Sequence, residues 1–533
     1  MTFDLLIEGG DVVDGTGNPA FRAAVGVVDG RITMLRGDTS GFEARERIDA
    51  TGQVVSPGFI DAHSHSDLVI FDEPTLDAKI LQGVTTEVVG VDGLSYAPFE
   101  RADDREGFIL QNSGIAGLGA GTPPFSTIGE QLAAYDGAAS VNVATLVGNT
   151  PPRVNAIGWG DDVSSEHQLD RMRAMVREAM DHGALGLSTG LDYPPGSYAS
   201  TDELIALARE AAVAGGIYHT HVRYSLGDGY LDPFREAVDI SRRAGLPLQI
   251  THFSRSSRDH RREGAQPLLD FIDAERVRGT EVTFDTYPFE HGGTRLARLL
   301  PAWVQAGAPR LLAERLADAD VRDRVYSDVA SSPAVAAYVM SRPFSDLRLG
   351  NLTAPEHSAF EGRYLSEVVV DLDAPMPEVL VALVRANPAA TFTRPSPQAM
   401  TLWKFVCHPL GMIASDAVLI GAAASPRAFG CFARVLGDFV REERLLSLPE
   451  AIRKMTSFPA QSLGLSNRGV LRDGAHADIA VFDPQSVGSQ ATYEQPRVPA
   501  SGFSAVVVGG VPVVRGGAVT GATPGRGIRR QDR

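Results

Sequence analysis

Two histidines at the end of an apolar segment are the residues of this chain with the clearest chemical potential. Residues 57–65 (PGFIDAHSH) follow Val54 and Val55 and end on His63 and His65, two positions apart. Side chains two positions apart in a strand point to the same face, so both imidazoles would share one face. Neutral imidazoles at that spacing can bind one zinc-type cation, each at ~2.0–2.1 Å. A His-x-His pair alone is weak evidence, so the metal hypothesis depends on the rest of the chain.

The elements that would position these histidines lie in a long middle region. Strand-like apolar segments alternate there with helical ones, such as 166–182 and 201–214, which is typical of parallel β/α units. Eight such units favour an α/β fold, a closed (β/α)8 TIM barrel with its functional groups at the carboxyl ends of the strands. The eight strand candidates are residues 57–63, 84–90, 141–148, 184–188, 216–222, 247–252, 281–287 and 411–415.

The two ends of the chain have a different pattern, of short strands separated by turns. We predict one small β-sandwich built from residues 1–55 and 467–533. These two segments flank a barrel domain of residues 56–466 in the chain. The gap before the last barrel strand is too long for a loop and predicts a helical insertion at about 290–400. The final residues, 523–533, are predicted to fray.

Composition limits the class of protein. The 533 residues carry a formal charge of −17, which argues against nucleic-acid binding because phosphates require a basic face. The hydrophobic fraction is typical of soluble globular proteins, and no apolar run approaches the ~18 residues of a membrane span. Two cysteines, Cys407 and Cys431, and no evident secretory segment predict a cytoplasmic protein without disulfides. The oligomeric state is left open.

Other strand candidates end on residues of the same chemical kind. Strand two runs into Asp92, strands five and six end on His221 and His252, and strand eight ends on Asp416. A barrel would bring these side chains together at one rim. His219 shares a face with His221, and we interpret it as a packing or supporting residue rather than a ligand.

Longer motifs around these residues resemble the amidohydrolase superfamily, and within it the N-acyl-D-amino-acid deacylase (D-aminoacylase) family. The segment 190–196 (GLDYPPG) is specific to that family, whereas His-x-His is shared by the whole superfamily. Further similar stretches extend over nearly all of the chain: 57–66, 83–98, 220–223, 249–252, 283–288, 414–416, 429–437 and 456–464.

The resemblance implies a hydrolase that cleaves the amide bond of N-acyl-D-amino acids or similar small N-acyl compounds with one or two Zn²⁺ ions. Asp416 would bind metal and act as the general base for the attacking water, with a helix cap as its alternative role. The metal ligands implied are His63, His65, His221, His252 and Asp416. The substrate-binding residues implied are Tyr193 and Tyr287, with packing roles as alternatives, and Arg427, with a role on the surface or in fixing a loop as its alternative. Arg223 is implied as well, and an inward electrostatic role is its alternative.

One departure from the family pattern concerns the metal. The family usually has a cysteine after strand two, and this chain has Asp92 there, followed by Gly93. A carboxylate also coordinates zinc, so we predict Asp92 as a ligand or its neighbour, with a turn residue as the alternative. Related binuclear enzymes use a carboxylated lysine on strand four, but no lysine lies between Lys79 and Lys404. This disfavours sites of the hydantoinase, dihydroorotase and urease type.

The other departures concern the substrate. Ser254 and Gly293 replace a family lysine and serine, Ser425 replaces the histidine of a His-Pro-Arg segment, and Asn149 replaces the histidine of a Gly-His pair. These changes leave a second hypothesis open, a relative acting on another C–N bond, such as a lactam, an imide or a secondary-metabolite amide. A catalytically silent scaffold is the third hypothesis, since a fold alone never proves function.

Overall fold

The computed structural model describes residues 2–227, 230–253, 265–331, 347–395 and 401–530. Its strands, in chain order, are β1 (Thr2–Glu8), β2 (Asp11–Val12), β3 (Phe21–Arg22), β4 (Ala24–Val28), β5 (Arg31–Leu35), β6 (Glu43–Asp49), β7 (Val54–Pro57), β8 (Phe59–Asp61), β9 (Val84–Val89), β10 (Asn142–Thr145), β11 (Val147–Gly148), β12 (Gly186–Gly190), β13 (Ile217–His221), β14 (Leu248–Ile250), β15 (Val282–Thr286), β16 (His291–Arg295), β17 (Arg348–Gly350), β18 (Thr391–Pro395), β19 (Gly411–Ile413), β20 (Ile479–Phe482), β21 (Phe503–Val508), β22 (Val511–Arg515), β23 (Ala518–Val519) and β24 (Gly527–Ile528).

The α-helices among these residues are α1 (Val69–Asp72), α2 (Asp77–Ile80), α3 (Ala102–Ala116), α4 (Ile128–Ala134), α5 (Thr150–Ala156), α6 (Glu166–Asp181), α7 (Thr201–Val213), α8 (Asp232–Ala244), α9 (Gln266–Val277), α10 (Ala302–Gln305), α11 (Arg310–Arg315), α12 (Ala319–Ser331), α13 (Leu365–Asp371), α14 (Met376–Ala386), α15 (Leu402–Cys407), α16 (Arg427–Arg434), α17 (Leu448–Met455) and α18 (Ser457–Leu463). A π-helical segment, Val435–Glu442, continues α16. None of the helices in the described residues is long and apolar enough to cross a membrane.

Eight strand positions surround the centre of the molecule in their chain order. Strands β8, β9 and β10 pair in parallel, and β11 to β15 with β19 form a second parallel sheet. β10 and β11 are two halves of one strand position, which joins the sheets on one side. On the other side the Asp416 amide donates to the His63 carbonyl (2.9 Å), and the His65 amide donates to the Ala417 carbonyl (3.3 Å). These eight positions match the eight strand candidates, which confirms the (β/α)8 barrel.

Two of the outer helices begin at capping serines that the sequence supplies. The Ser165 hydroxyl accepts a hydrogen bond from the Gln168 amide before α6, and the Ser200 hydroxyl accepts one from the Glu203 amide before α7. A side-chain oxygen at this position satisfies an amide that has no partner within the first helical turn. Both helices begin where the sequence predicted and end one residue earlier.

Residues from both ends of the chain build a second core. A four-stranded sheet, β5-β4-β1-β6, faces a seven-stranded sheet, β23-β22-β21-β20-β7-β2-β3, across a shared apolar cluster that includes Leu5, Val27 and Val507. Because β20 pairs with β7, the larger sheet needs strands from both ends. This is the sandwich that the sequence predicted. The domain boundaries at 55/56 and 466/467 remain predictions.

The end of the chain is ordered against the barrel, contrary to the prediction that it frays. β24 pairs in parallel with β10, and the Arg530 amide donates to the Gly183 carbonyl at 3.0 Å. The fraying prediction is therefore wrong for residues 525–530. The free backbone edge of β10 supplies hydrogen-bond partners, which composition alone does not reveal.

The insertion before the last barrel strand has an apolar core of its own. Helices α10 to α14 pack around buried side chains such as Leu296, Val325 and Leu380. It also contains a three-stranded antiparallel sheet, β16-β18-β17, which the sequence analysis did not predict. β17 has three residues and β16 contains Gly292 and Gly293, so neither has the apolar alternation of an ordinary strand.

Candidate metal centre

Four histidines surround the Asp92 carboxylate at the carboxyl ends of the barrel strands. Asp92 Oδ2 lies 3.6 Å from His63 Nε2 and 3.8 Å from His65 Nε2. The same oxygen lies 3.8 Å from both His221 Nδ1 and His252 Nε2. The structure thus brings together the histidines that the sequence predicted to converge, and it puts Asp92 between them.

Asp416 lies on one side of this centre. Its Oδ1 is 3.3 Å from His65 Nε2 and 3.6 Å from His63 Nε2. The six residues therefore divide into two sets whose ligand atoms lie within 4.8 Å of one another. The first ligand group is His63, His65 and Asp416. The second ligand group is Asp92, His221 and His252.

Three of the six residues have left-handed backbone conformations, with φ of 53° at Asp92, 31° at His252 and 45° at Asp416. Non-glycine residues rarely adopt this region, and such conformations cluster where a side chain must be aimed at a site. Gly93 continues the turn with φ of 71°, and a Cβ there would lie 2.8 Å from the Gly190 nitrogen. The turn after β9 therefore requires a glycine at position 93.

Two aspartates that the sequence analysis did not assign hold the histidines in place. Asp192 Oδ2 lies 3.1 Å from His221 Nε2. Asp285 Oδ1 accepts a hydrogen bond from the His252 amide (2.6 Å) and lies 3.4 Å from His63 Nδ1. These contacts leave His221 Nδ1 and His63 Nε2 directed at the centre, an arrangement that is usual for metal-binding histidines.

The charges of the centre depend on one another. Burial disfavours the ionised form of Asp92, but His63, His221 and His252 hold the pKa of its carboxyl well below the usual range. Burial alone would lower the pKa of His221, but Asp192 and Asp92 raise it to about 9. In the part of the chain that the structure describes, the His219 ring has no hydrogen-bond partner, and burial lowers its pKa to about 4.

The donor set fits zinc-type cations. Among the described residues, His63 Nε2 and Asp92 Oδ1 are buried without a hydrogen-bond partner, which is costly unless another group satisfies them. Imidazole nitrogens and carboxylate oxygens are both common zinc ligands, and three such ligands make up a catalytic zinc site. Each ligand group supplies three, so the centre can hold one ion or two.

The centre opens into a cavity at the barrel mouth. Tyr193 and Tyr287, two of the predicted substrate-binding residues, line it. The sheet of the inserted subdomain forms part of the wall and contributes Gly293 and Arg394. Arg298 lines the cavity as well and binds Asp192 Oδ2 at 2.6 Å. Sequence reasoning missed both arginines because they lie in the insertion, where no motif singles them out.

Two predicted substrate-binding arginines have structural partners instead of lining the cavity. Arg427 is buried, lies over the Tyr287 ring at 4.4 Å and binds Asp416 Oδ2 at 2.9 Å. Arg223 donates to the carbonyls of Ser197 and Ala199 and contacts Glu236. For Arg223 the structure favours the alternative electrostatic role, because these contacts occupy its guanidinium.

The remaining departures from the family pattern fall in different places. Gly293 leaves the cavity wall without a side chain. Asn149 is buried and donates to the Gly196 carbonyl at 3.0 Å, so it supports the loop that carries Tyr193. Ser425 is buried just before α16. Ser254 lies outside the described residues.

Comparison with known proteins identifies the family. The model of the amidohydrolase family matches residues 46–315 and 412–514. The chain belongs to the amidohydrolase family. A D-aminoacylase from Alcaligenes xylosoxydans xylosoxydans is 32% identical over 531 residues, which cover 99% of this chain and 98% of that protein.

Solved structures of the amidohydrolase family share the fold over the full chain. The N-acyl-D-glutamate deacylase of Bordetella bronchiseptica, in complex with zinc and a phosphonate mimic of the tetrahedral intermediate, has a TM-score of 0.81 at 32% identity. The alignment covers 99% of this chain and 100% of that one. A D-aminoacylase with a binuclear metal centre has a TM-score of 0.81 at 30% identity, covering 98% of this chain and 99% of its own.

Proposed function

We propose that this chain is a zinc-dependent amidohydrolase that cleaves the amide bond of N-acyl-D-amino acids or similar N-acyl compounds. The observation that carries the proposal is the position of Asp92 Oδ2, within 3.8 Å of one nitrogen of each of four histidines at the barrel mouth. The names of relatives that align over nearly the whole chain support the same reaction.

In this proposal the first and second ligand groups hold one or two zinc ions. Zinc bound there supplies Lewis acidity, which polarises the amide carbonyl and lowers the pKa of water toward ~7. The negative charge of Asp92 offsets the charge of a cation whose other ligands are mostly neutral imidazoles. Asp192 and Asp285 orient the histidines so that the correct ring nitrogens face the centre.

Asp416 moves the proton in this mechanism. Arg427 holds its Oδ2, and together with His63 it keeps the pKa of the carboxyl below the usual range although burial opposes ionisation. Oδ1 remains to accept a proton from the attacking water. As the C–N bond breaks, the carboxyl returns that proton to the amine nitrogen, because an amide anion is a poor leaving group.

The cavity wall supports a small anionic substrate. Arg298 and Arg394 supply positive charge, and the Tyr193 and Tyr287 hydroxyls supply hydrogen bonds for a carboxylate. The alternative in the same reaction class is cleavage of another C–N bond, such as that of a lactam, an imide or a secondary-metabolite amide. It is motivated by the loss of the family's lysine at Ser254 and of its histidines at Ser425 and Asn149. A cytoplasmic location, from the low cysteine content, is part of the proposal.

Purified protein loaded with zinc tests the proposal in a screen of N-acetyl-D- and N-acetyl-L-amino acids for release of free amine. We expect turnover of D-compounds, and weaker turnover when the substrate carboxylate is blocked as an amide. Asp416→Asn should retain most of its zinc but lose at least ~100-fold in turnover, the scale of losing positioned acid–base catalysis.

The matched control is Asp438→Asn. Asp438 binds Arg434 at 2.9 Å, and Asp416 binds Arg427 at the same distance. Asp438, however, lies on the π-helical segment outside the barrel mouth. Its variant should turn over normally. Near-normal turnover by Asp416→Asn, or no amine release from any D-compound, would contradict the proposed mechanism.

A further inference from the structure

A buried lysine lies beneath the first ligand group and has no role in the mechanism above. Lys79 Nζ binds Asp61 Oδ2 and Glu87 Oε1, each at 2.6 Å, with all three side chains fully buried. It also donates to the hydroxyls of Ser64 (3.1 Å) and Ser415 (3.0 Å). Burial disfavours the charged amine, yet the two carboxylates hold its pKa above the usual range.

Three of the four partners of Lys79 are next to a member of the first ligand group or bonded to its backbone. Ser64 lies between His63 and His65 in the chain, and Ser415 precedes Asp416. Asp61 Oδ1 accepts hydrogen bonds from the amides of His63 (3.4 Å) and Ser415 (2.9 Å).

Glu87 completes this network from the neighbouring strand. Its carboxylate accepts hydrogen bonds from Ser64 (3.0 Å) and from Ser66, which follows His65. We call this set of six residues the Lys79 network: Lys79, Asp61, Ser64, Ser66, Glu87 and Ser415. The network joins β8, β9 and the end of β19 below the two histidines and Asp416.

The second ligand group is held by different residues. Asp192 fixes His221, and Asp285 fixes the backbone of His252. Among the contacts in the described residues, neither aspartate bonds to Lys79 or to its carboxylate partners. Asp285 also lies 3.4 Å from His63 Nδ1 and so contacts both halves of the centre, whereas the contacts of Lys79 and its carboxylate partners reach only the first.

We propose that Lys79 is a positioning residue that sets the zinc affinity of the first ligand group and leaves that of the second nearly unchanged. The inference rests on the proposed metal function. Removal of the ammonium group would leave Asp61 and Glu87 buried close together without a cation, and two like charges in that position repel. The strand ends that carry His63, His65 and Asp416 would then move apart.

The test measures zinc affinity in two backgrounds of the full chain, by competition with a chromophoric chelator at fixed pH. His221→Ala/His252→Ala leaves the first ligand group intact, and His65→Ala/Asp416→Asn leaves the second. Adding Lys79→Met should weaken zinc binding by at least about tenfold in the first background, the usual effect of losing a residue that supports metal ligands. In the second background the change should be less than about twofold.

Lys454→Met is the matched control. Lys454 is also a fully buried lysine, and it donates to the carbonyls of His408 and Gly411, at the beginning of β19 instead of its end. This variant should melt at a lower temperature while zinc affinity in both backgrounds stays within about twofold.

If Lys79→Met fails to fold, Ser64→Ala/Ser415→Ala replaces it, since this variant keeps the lysine and both carboxylates. Loss of these hydroxyls should weaken zinc binding about threefold or more in the first background, the scale of one or two hydrogen bonds. An unchanged affinity there, or equal losses in both backgrounds, would overturn the inference. If neither background binds zinc before Lys79 is changed, the proposed function fails instead.

Discussion

Asp92 joins the two halves of the centre, because a single carboxylate oxygen lies near one nitrogen of each of four histidines. The D-aminoacylase family, which this chain resembles, usually has a cysteine at this position. A carboxylate is a harder ligand than a thiolate but carries the same charge, so the substitution preserves the charge balance around a divalent cation.

Asp92→Ala should therefore weaken zinc retention, whereas Asp92→Cys should preserve it. The alanine variant lacks both the ligand atom and the charge, and the cysteine variant restores them. Zinc content after dialysis against a chelator is the measurement. If Asp92→Ala retained zinc as tightly as the parent protein, Asp92 would be a turn residue only and the histidines with Asp416 would suffice.

Zinc affinity should also depend on pH through His221. Burial would lower the pKa of this imidazole, but Asp192 and Asp92 raise it to about 9 in the metal-free protein. Below pH ~9 zinc must displace that proton. His221 alone should therefore lower the apparent zinc affinity about tenfold for each unit by which the pH decreases. Chelator competition at three pH values between 6 and 9 measures the slope.

Asp192→Asn is the control for this pH dependence. It removes one carboxylate that raises the pKa of His221, so the affinity should begin to fall at a lower pH. A pH-independent affinity in the parent protein would show that no histidine of the centre holds a displaceable proton.

The sequence predicted those residues of the centre whose side chains can bind metal and that lie at the end of a predicted strand, such as His63 and His221. It did not predict Asp192, Asp285 or Arg298, whose importance comes from partners distant in the chain. Arg427 shows the same limit. Its position in a family motif suggested contact with substrate, and only the fold reveals its ion pair with Asp416.

At the scale of elements, periodicity predicted the barrel because eight apolar strands alternate with helices. The sheet of the insertion escaped prediction because β16 and β17 are short or rich in glycine. β24 escaped for a similar reason, since its two residues carry no periodic pattern.

Deletion of residues 523–533 should lower the thermal stability without changing zinc content. The deletion removes β24 and the hydrogen bond between the Gly525 amide and the Ala139 carbonyl, leaving one edge of β10 unpaired. Because the entropy of unfolding grows with chain length, each kcal/mol lost should lower the melting temperature of this 533-residue chain by roughly 1 °C, measured by calorimetry. A Gly/Ser segment of equal length in place of 523–533 should melt like the deletion, and an unchanged melting temperature would contradict the role of β24.

At the scale of the whole molecule, both ends of the chain close structures that begin elsewhere. β20 completes the sheet that β7 starts, and β24 covers the edge of a barrel strand. The sandwich and the catalytic barrel are therefore each completed by a pairing between residues that are hundreds of positions apart in the chain.

The pairing of β24 with β10 also has a consequence for synthesis on the ribosome. The Arg526 amide and the Asn142 side chain that accepts its hydrogen bond are 384 residues apart. At translation rates of about 5–20 residues per second, β10 emerges roughly 20–80 seconds before its partner exists. During that interval a hydrophobic strand of the future barrel has an open edge, which can pair with another nascent chain. We therefore expect chaperones to have a large effect on the yield of folded protein and a smaller effect on the stability of the finished molecule.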